Sequence, residues 1–349
     1  RRVLFRSGAW YIHLVLCETG VYLDIAGKTS NPYRAKITAI GGYVPPGVLT
    51  NHDLEKIVET NDQWILERTG IRERHILAKD QATSDMAVEA ARVVLASAGI
   101  DPSAISAIIV CTVTPDMLFP ATACLVQDRL GATGAWGYDL IAACSGFVYG
   151  LTTAAHLVSA GPPKKVLVIG ADTMSRILDY TDRATCILFG DGAGAFLVET
   201  AEPGEEGFLD FVNEVDGSGG QFLKMPAGGS RMPASHDTVD GRQHFVHQEG
   251  QQVFKYAVRK MSEMSSTLLE RNGLRGEDVK LLIPHQANRR IIEATAKALD
   301  MPLDRVIINI DRFGNTTAAT IPLATRDAVA NGRLVKGDLV LFAAVGAGY

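Results

Sequence analysis

A pattern of short apolar runs alternating with helical segments, met twice over, constrains this chain more than any other feature of its 349 residues. In the first half, strand-like runs at 105–112, 135–141 and 165–170 enclose helical segments at 121–130 and 145–159. In the second, strands at 279–283, 305–310 and 338–343 enclose helices at 288–299 and 316–331. Continuous apolar strands of this kind are expected where both faces of a sheet are covered. Two such βαβαβ units predict a duplicated α/β architecture with a central layer of helices. The two halves hardly resemble each other residue by residue, so the repeat is one of pattern. The junction falls at 200–207, Thr-Ala-Glu-Pro-Gly-Glu-Glu-Gly, and divides 35–203 from 204–349. The Gly-, Pro- and Ser-rich stretch 216–241 reads as a long surface connection, a kind of loop that often shapes a cleft. A second distinctive region, 50–74, carries Trp64, Arg68, Arg72 and Arg74 near its end.

Composition excludes several classes. Hydrophobic residues at 47% and charged residues at 21% fit a soluble enzyme. A net charge of −5 argues against bulk attraction to nucleic acid or anionic membranes. The cysteines are Cys17, Cys111, Cys124, Cys144 and Cys186, an odd set without a C-x-x-C pair. Neither a zinc site nor a disulfide framework is expected, and a reducing cytoplasm fits best. Residues 1–34 differ from the rest. Arg1, Arg2 and Arg6 precede a short apolar run at 9–17 that His13 interrupts and no A-x-A site follows. That run is far below the ~20 residues that span a bilayer. The segment is read as a disordered or accidental leader outside the fold.

The candidate chemistry lies at strand exits, where open α/β sheets place their sites. Cys144 follows the run 135–141 and opens a helix. Asn315 follows 305–310 and opens the matching helix of the second half, and His285 lies just past 279–283. A duplicated fold with a pseudo-twofold brings such positions together. A thiol at a helix N-terminus meets the positive end of the dipole, which favours thiolate, a good nucleophile toward thioesters. Backbone N–H groups at the same helix end can hold an acyl oxygen, and His285 and Asn315 offer side-chain donors to a second one. Taken singly, Cys144 could be a small buried hydrophobe, His285 a bonded core residue and Asn315 a turn residue. Gly190-Asp191-Gly192-Ala193-Gly194 lacks the G-x-G-x-x-G spacing and a following helix, so it is read as close backbone packing and not as a phosphate loop.

Ala142-Ala143-Cys144-Ser145-Gly146-Phe147, Pro284-His285-Gln286-Ala287-Asn288 and Gly314-Asn315-Thr316-Thr317-Ala318-Ala319 resemble the β-ketoacyl-acyl carrier protein synthase III family. So do Trp64-Ile65-Leu66-Glu67-Arg68-Thr69-Gly70-Ile71 and Phe189-Gly190-Asp191-Gly192-Ala193-Gly194, and the resemblance runs from about Lys36 to Tyr349. It implies a thiolase-like fold of five αβαβα layers, a homodimer, no cofactor and no metal. The activity implied is the initiating condensation of type II fatty acid synthesis. An acyl-CoA primer acylates Cys144, and malonyl-acyl carrier protein then loses CO2 and attacks the acyl group. By resemblance, His285 and Asn315 bind the malonyl thioester carbonyl, and the amides of Cys144 and Ala347 form the other oxyanion hole. Trp64, Arg68, Thr69 and Arg183 match positions that grip CoA, and Asn288 matches one that bonds the pantetheine arm. Phe189 and Phe254 match acyl-site positions, and Phe119 one that reaches into the partner subunit's pocket. Lys255, Arg290 and Lys297 match a basic docking face for the acidic carrier protein.

Two departures accompany the likeness. The chain reads Gly346-Ala347-Gly348-Tyr349 where the family has three glycines and an aromatic, followed by a final strand that is not seen here. Papain-like proteases, which share Cys, His and Asn, use a C-x-x-C-[WY] setting that Cys144 lacks. Degradative thiolases add a second cysteine absent from 345–349, and elongating synthases use a second histidine where Asn315 stands. A non-catalytic carrier-protein-binding subunit would be expected to lack Cys144. A related condensing enzyme of secondary metabolism, with a ketone, ester or quinolone product, is the alternative.

Overall fold

The computed structural model describes residues 33–162 and 164–347. The leader 1–34 and Cys17 fall, but for the last residues of the leader, outside these, as do Gly348 and Tyr349. Only the longer elements are numbered. The main sheet holds β1 (Ala35–Tyr43), β2 (Ala107–Cys111), β3 (Trp136–Leu140), β4 (Lys165–Thr173) and β5 (Asp191–Thr200), in the order β1-β5-β4-β2-β3. The β4, β2 and β3 strands run parallel, and β5 and β1 add on antiparallel. A second, smaller sheet pairs β6 (Leu281–Pro284) with β7 (Val340–Ala343) in parallel. The helices are α1 (Asp62–Thr69), α2 (Thr83–Ala98), α3 (Thr122–Leu130), α4 (Gly146–Ser159), α5 (Gly250–Arg271), α6 (Arg289–Ala298) and α7 (Thr320–Ala330).

Strand alternation sorts these into layers. Ile108, Val110, Leu167, Ile169, Ala195 and Leu197 face one way, onto α2 and α3. Ala107, Ile109, Val166, Val168, Phe196 and Val198 face the other way, onto Phe147, Leu151 and Ala155 of α4 and Ile321 and Ala324 of α7. The far side of α4 and α7 meets Leu281 and Ile283 of β6. The opposite face of that small sheet, Leu282, Leu341 and Ala343, packs on Met261 of α5 and Ile292 of α6. Five layers result, with α4 and α7 buried at the centre.

One predicted strand is corrected. Within 305–310, only Val306 bridges to the sheet, at Leu282, and Ile310–Phe313 is a short helix. The buried side chain of Gln286 replaces the rest of the ladder. Its Nε2 donates to the Ile307 carbonyl at 3.1 Å and its Oε1 accepts from the Asn309 N–H at 3.1 Å. An apolar run can therefore look like a strand and be held extended by an amide side chain instead. Five elements lie outside the predicted repeat: β1, β5, α1, α2 and α5. The Asp191–Ala195 segment opens β5, and a Cβ on Gly190 would lie 2.5 Å from the Phe313 carbonyl, so the close packing read from the sequence is present.

Two buried polar groups tie the frame near the strand exits. Asp139 of β3 accepts from the Thr122 and Ala123 N–H groups and caps α3, which lacks a side-chain cap of its own. Arg74 is fully buried and donates to Asn51 Oδ1 and the carbonyls of Leu49 and Ile187. Burial lowers its pKa to about 10. No helix among the described residues is long and apolar enough to cross a membrane.

Candidate active site

Cys111 of β2 pairs with both Leu140 and Gly170; β2 and β3 end at this level, and β4 runs on to Thr173. From that edge the chain turns through Ala142-Ala143-Cys144 into α4. Ala143 adopts φ +46°, a left-handed turn residue that reverses the chain tightly enough to place Cys144 at the helix entrance. Cys144 is 7% exposed. No acceptor for its N–H is found among the described residues. The terminal loop closes over this turn. A Cβ on Gly346 would lie 2.9 Å from the Ser145 nitrogen and 3.0 Å from that of Cys144, so Ala347 follows directly beside the same turn.

The second half builds a sister turn, Thr316-Thr317-Ala318, which leads into α7 and packs against Ala143–Ser145. Asn315 enters it with its backbone held between Leu188 and Gly190, through bonds of 2.9 and 3.1 Å. Its side-chain Oδ1 accepts the Thr317 N–H at 2.9 Å, which leaves the Nδ2 donors to point elsewhere. His285 leaves β6 with its N–H on the Ala343 carbonyl and its Nδ1 2.7 Å from the Thr320 hydroxyl. One turn thus gathers all three predicted residues: Asn315 on its first peptide, His285 on its last side chain, and Cys144 on the turn packed against it. His285 and Asn315 are 2% and 5% exposed. Their outer atoms, Nε2 and Nδ2, have no hydrogen-bond partner among the described residues.

The electrostatics are set by burial. It lowers the His285 pKa to about 3, so the imidazole is neutral. It also pushes the Cys144 thiol up to about 12, with the Asp172 carboxylate adding to the rise. Both effects run against the resting thiolate that the helix entrance leads one to expect. Asp172 itself, raised by burial to about 6, accepts from the Val113 N–H, the Thr112 and Thr114 hydroxyls and the Ala318 N–H. Neither Asp172 nor Thr320 was singled out in the sequence. A charged residue ending an apolar strand was the available signal for the first, and the threonine-rich run after Asn315 for the second.

The remaining predicted residues lie around this centre. Arg68 and Arg183 place their guanidiniums 5.7 and 5.2 Å from the Trp64 ring centroid. Thr69 turns inward, donating to the Ile65 carbonyl and accepting from the Ile71 N–H, so its hydroxyl is not offered to a ligand. The Asn288 amide is also engaged, capping α6 at the Arg290 N–H and donating to the Arg68 carbonyl. Phe189 is buried beside Asn315, bridging to it across a parallel contact. Phe254 lies on α5 under the Arg290 guanidinium at 5.2 Å. Lys255 and Lys297 are exposed on α5 and α6 without an acidic partner among the described residues. Phe119 is 84% exposed on the loop before α3, beside the equally exposed Leu118. The structure does not bring it to this chain's own site.

Comparison with known proteins places the chain in a known family. The family model for 3-oxoacyl-[acyl-carrier-protein] synthase III matches residues 138–217, and its C-terminal model matches 269–349. The β-ketoacyl-[acyl-carrier-protein] synthase III of Solibacter usitatus is 70% identical over 318 residues, 90% of this chain and 96% of its own length. That of Koribacter versatilis is 61% identical, with 90% and 95% covered. The crystal structure of the Thermus thermophilus synthase III superposes with a TM-score of 0.83 at 44% identity, over 90% of this chain and 96% of that one. With both halves matched and relatives this similar over nearly their whole lengths, the chain belongs to the β-ketoacyl-[acyl-carrier-protein] synthase III family of thiolase-like condensing enzymes.

Proposed function

We propose that the chain catalyses the decarboxylative condensation of an acyl-CoA primer with malonyl-acyl carrier protein, the opening step of type II fatty acid synthesis. The observation that carries this reading is the pairing of the two entry turns. One presents a thiol and an unfilled backbone N–H. The other presents two side-chain N–H sources with no partner of their own. In the first half-reaction the Cys144 sulfur attacks the thioester carbon as its proton departs. The oxyanion forms against the N–H groups of Cys144 and Ala347, and CoA leaves, taking up a proton. In the second, the malonyl thioester carbonyl lies between His285 Nε2 and Asn315 Nδ2. The C–C bond to the carboxylate breaks, CO2 departs, and the electron pair passes into an enolate that these donors stabilise. The resulting carbon nucleophile attacks acyl-Cys144, and the sulfur leaves and is reprotonated. Burial that keeps His285 neutral suits a donor that need not lose a charge.

Trp64 flanked by Arg68 and Arg183 suits an adenine ring and phosphates. Lys255, Arg290 and Lys297 form an exposed basic face on adjacent helices, suited to an acidic carrier protein. A homodimer accounts for the exposed Leu118 and Phe119 and for edge strand β3 with its half-exposed Trp136. A cytoplasmic location and the division at 203/204 belong to the same reading.

Incubation with a panel of acyl-CoAs followed by mass spectrometry tests the assignment. Wild type gains one acyl group on Cys144, and Cys144→Ala gains none. His285→Ala is expected to acylate normally and to lose malonyl decarboxylation. Retained condensation in Cys144→Ala refutes the proposal.

A further inference from the structure

The His285 ring works as an N–H donor only if its single ring proton sits on Nε2, and a neutral imidazole can place that proton on either nitrogen. Something must choose. Thr320 is the first residue of α7 and is buried, and its Oγ1 lies 2.7 Å from His285 Nδ1 and 3.0 Å from the Thr317 carbonyl. The hydroxyl has one proton and two acceptors within reach. The Thr317 carbonyl already accepts the Thr320 backbone N–H, whereas Nδ1 has no other donor among the described residues. The shorter contact and the unserved acceptor coincide.

We propose that the Thr320 hydroxyl donates to His285 Nδ1 and thereby fixes the imidazole as the Nε2–H tautomer, making Thr320 a positioning residue for the malonyl half-reaction. Burial keeps the ring neutral, so the choice of tautomer is not overridden by a second proton. The His285 main chain is held independently, by its N–H on the Ala343 carbonyl at 2.7 Å, so the hydroxyl acts on the ring and not on the strand end. The inference rests on the functional reading above, in which His285 serves the malonyl carbonyl.

The test uses full-length enzyme labelled with 15N-histidine, with the His285 signal assigned by its loss in His285→Ala. Wild type is expected to show Nε2 protonated and Nδ1 bare. Thr320→Val, nearly the same shape without the hydroxyl, is expected to lose that preference. Its malonyl decarboxylation and condensation should fall about tenfold, the scale of one orienting hydrogen bond. Acylation of Cys144 by labelled acyl-CoA should stay within twofold of wild type, and Thr320→Ser should restore both the tautomer and the rate. A wild-type ring protonated on Nδ1, or a Thr320→Val enzyme that condenses at the wild-type rate, overturns the proposal. The wild-type spectrum stands even if Thr320→Val fails to fold. If His285→Ala still decarboxylates malonyl thioester, the functional reading fails. If His285→Ala is dead and Thr320→Val is silent, only the role of Thr320 fails.

Discussion

The two helix-entry turns at the centre of the molecule share one backbone and, in the proposed reaction, divide the work between them. Ala142-Ala143-Cys144-Ser145-Gly146 and Thr316-Thr317-Ala318-Ala319-Thr320 each place their second residue in the left-handed region, at φ +46° and +54°. Each then makes a short 3-10 turn before α4 or α7 begins. Ala318 therefore stands where Cys144 stands. The difference lies in what fills the N–H of that residue. In the second half the Asp172 carboxylate accepts the Ala318 N–H at 3.1 Å. In the first half the Cys144 N–H has no acceptor among the described residues. A buried carboxylate oxygen occupies in one turn the place that an acyl oxyanion would take in the other. Duplication thus supplies two like turns; the Asp172 carboxylate fills one, and in the proposed reaction the other receives the acyl oxyanion.

The sharpest way to break this comparison is to close the open site. Gly346→Ala would set a methyl within 3.0 Å of three backbone atoms of the first turn, Ser145 N, Ala142 O and Cys144 N. None of these can move without displacing the oxyanion donor. Acylation of Cys144 is expected to fall about 10²-fold, in line with loss of one such donor. Single-turnover transfer from labelled acyl-CoA checks this, and an unchanged rate would mean that the Cys144 N–H does not serve the acyl oxygen.

A smaller effect separates the ionisable groups of the two halves. Asp172 is raised from 3.8 to about 6, so the stability it contributes is present below the lower value and lost as pH rises through about 6. His285 is lowered from 6.5 to about 3, so its contribution is present above 6.5 and lost as pH falls toward 3. Between pH 4 and 6 the two slopes oppose each other. His285→Gln removes one of them. Its stability relative to wild type should improve by ~2 kcal/mol as pH falls from 6.5 to 5, at ~1.4 kcal/mol per pH unit. Urea denaturation at both pH values measures the shift, and a constant gap would show that His285 is not buried neutral.

How much of this was legible in the sequence follows from the kind of signal each part leaves. The core strands β2 and β4 are largely continuous apolar runs and read directly, as did α4, α6 and α7, while β3, interrupted by Gly137 and Asp139, was placed by its position in the alternation. Cys144 and His285 stood out because each follows the end of a strand, whereas Asn315 follows an apolar run that is not one, and only its matching place in the second half pointed to it. The false strand at 305–310 arose because Val306, Ile307 and Ile308 are apolar, while the bonds that hold them come from Gln286, some twenty residues away. β1 and β5 were missed because glycines and alanines break their apolar pattern. Asp172 acts through several long-range hydrogen bonds and Thr320 through one, and no periodicity announces these. The burial that raises the Cys144 pKa was not legible for a related reason: the helix dipole is a local property of the sequence, but burial is not.

The last test weighs the turns themselves. Ala143 and Thr317 both pay for a left-handed conformation that L-residues avoid, at ~1 kcal/mol or more relative to glycine. If the two turns are equivalent in backbone, relieving that strain in the first should leave the peptide planes, and hence the Cys144 N–H, where they are. Ala143→Gly should then raise stability by up to ~1 kcal/mol, the released strain being partly offset by the greater freedom of an unfolded glycine. Acylation should change less than threefold. Thermal denaturation with a parallel acylation assay distinguishes the outcomes. A loss of stability would mean that packing of the half-buried Ala143 methyl, and not the shared turn geometry, holds the nucleophile in place. A large loss of acylation at unchanged stability would mean that the alanine is needed to hold the turn rigid, so that the conformational cost is retained because it fixes the direction of a single N–H bond.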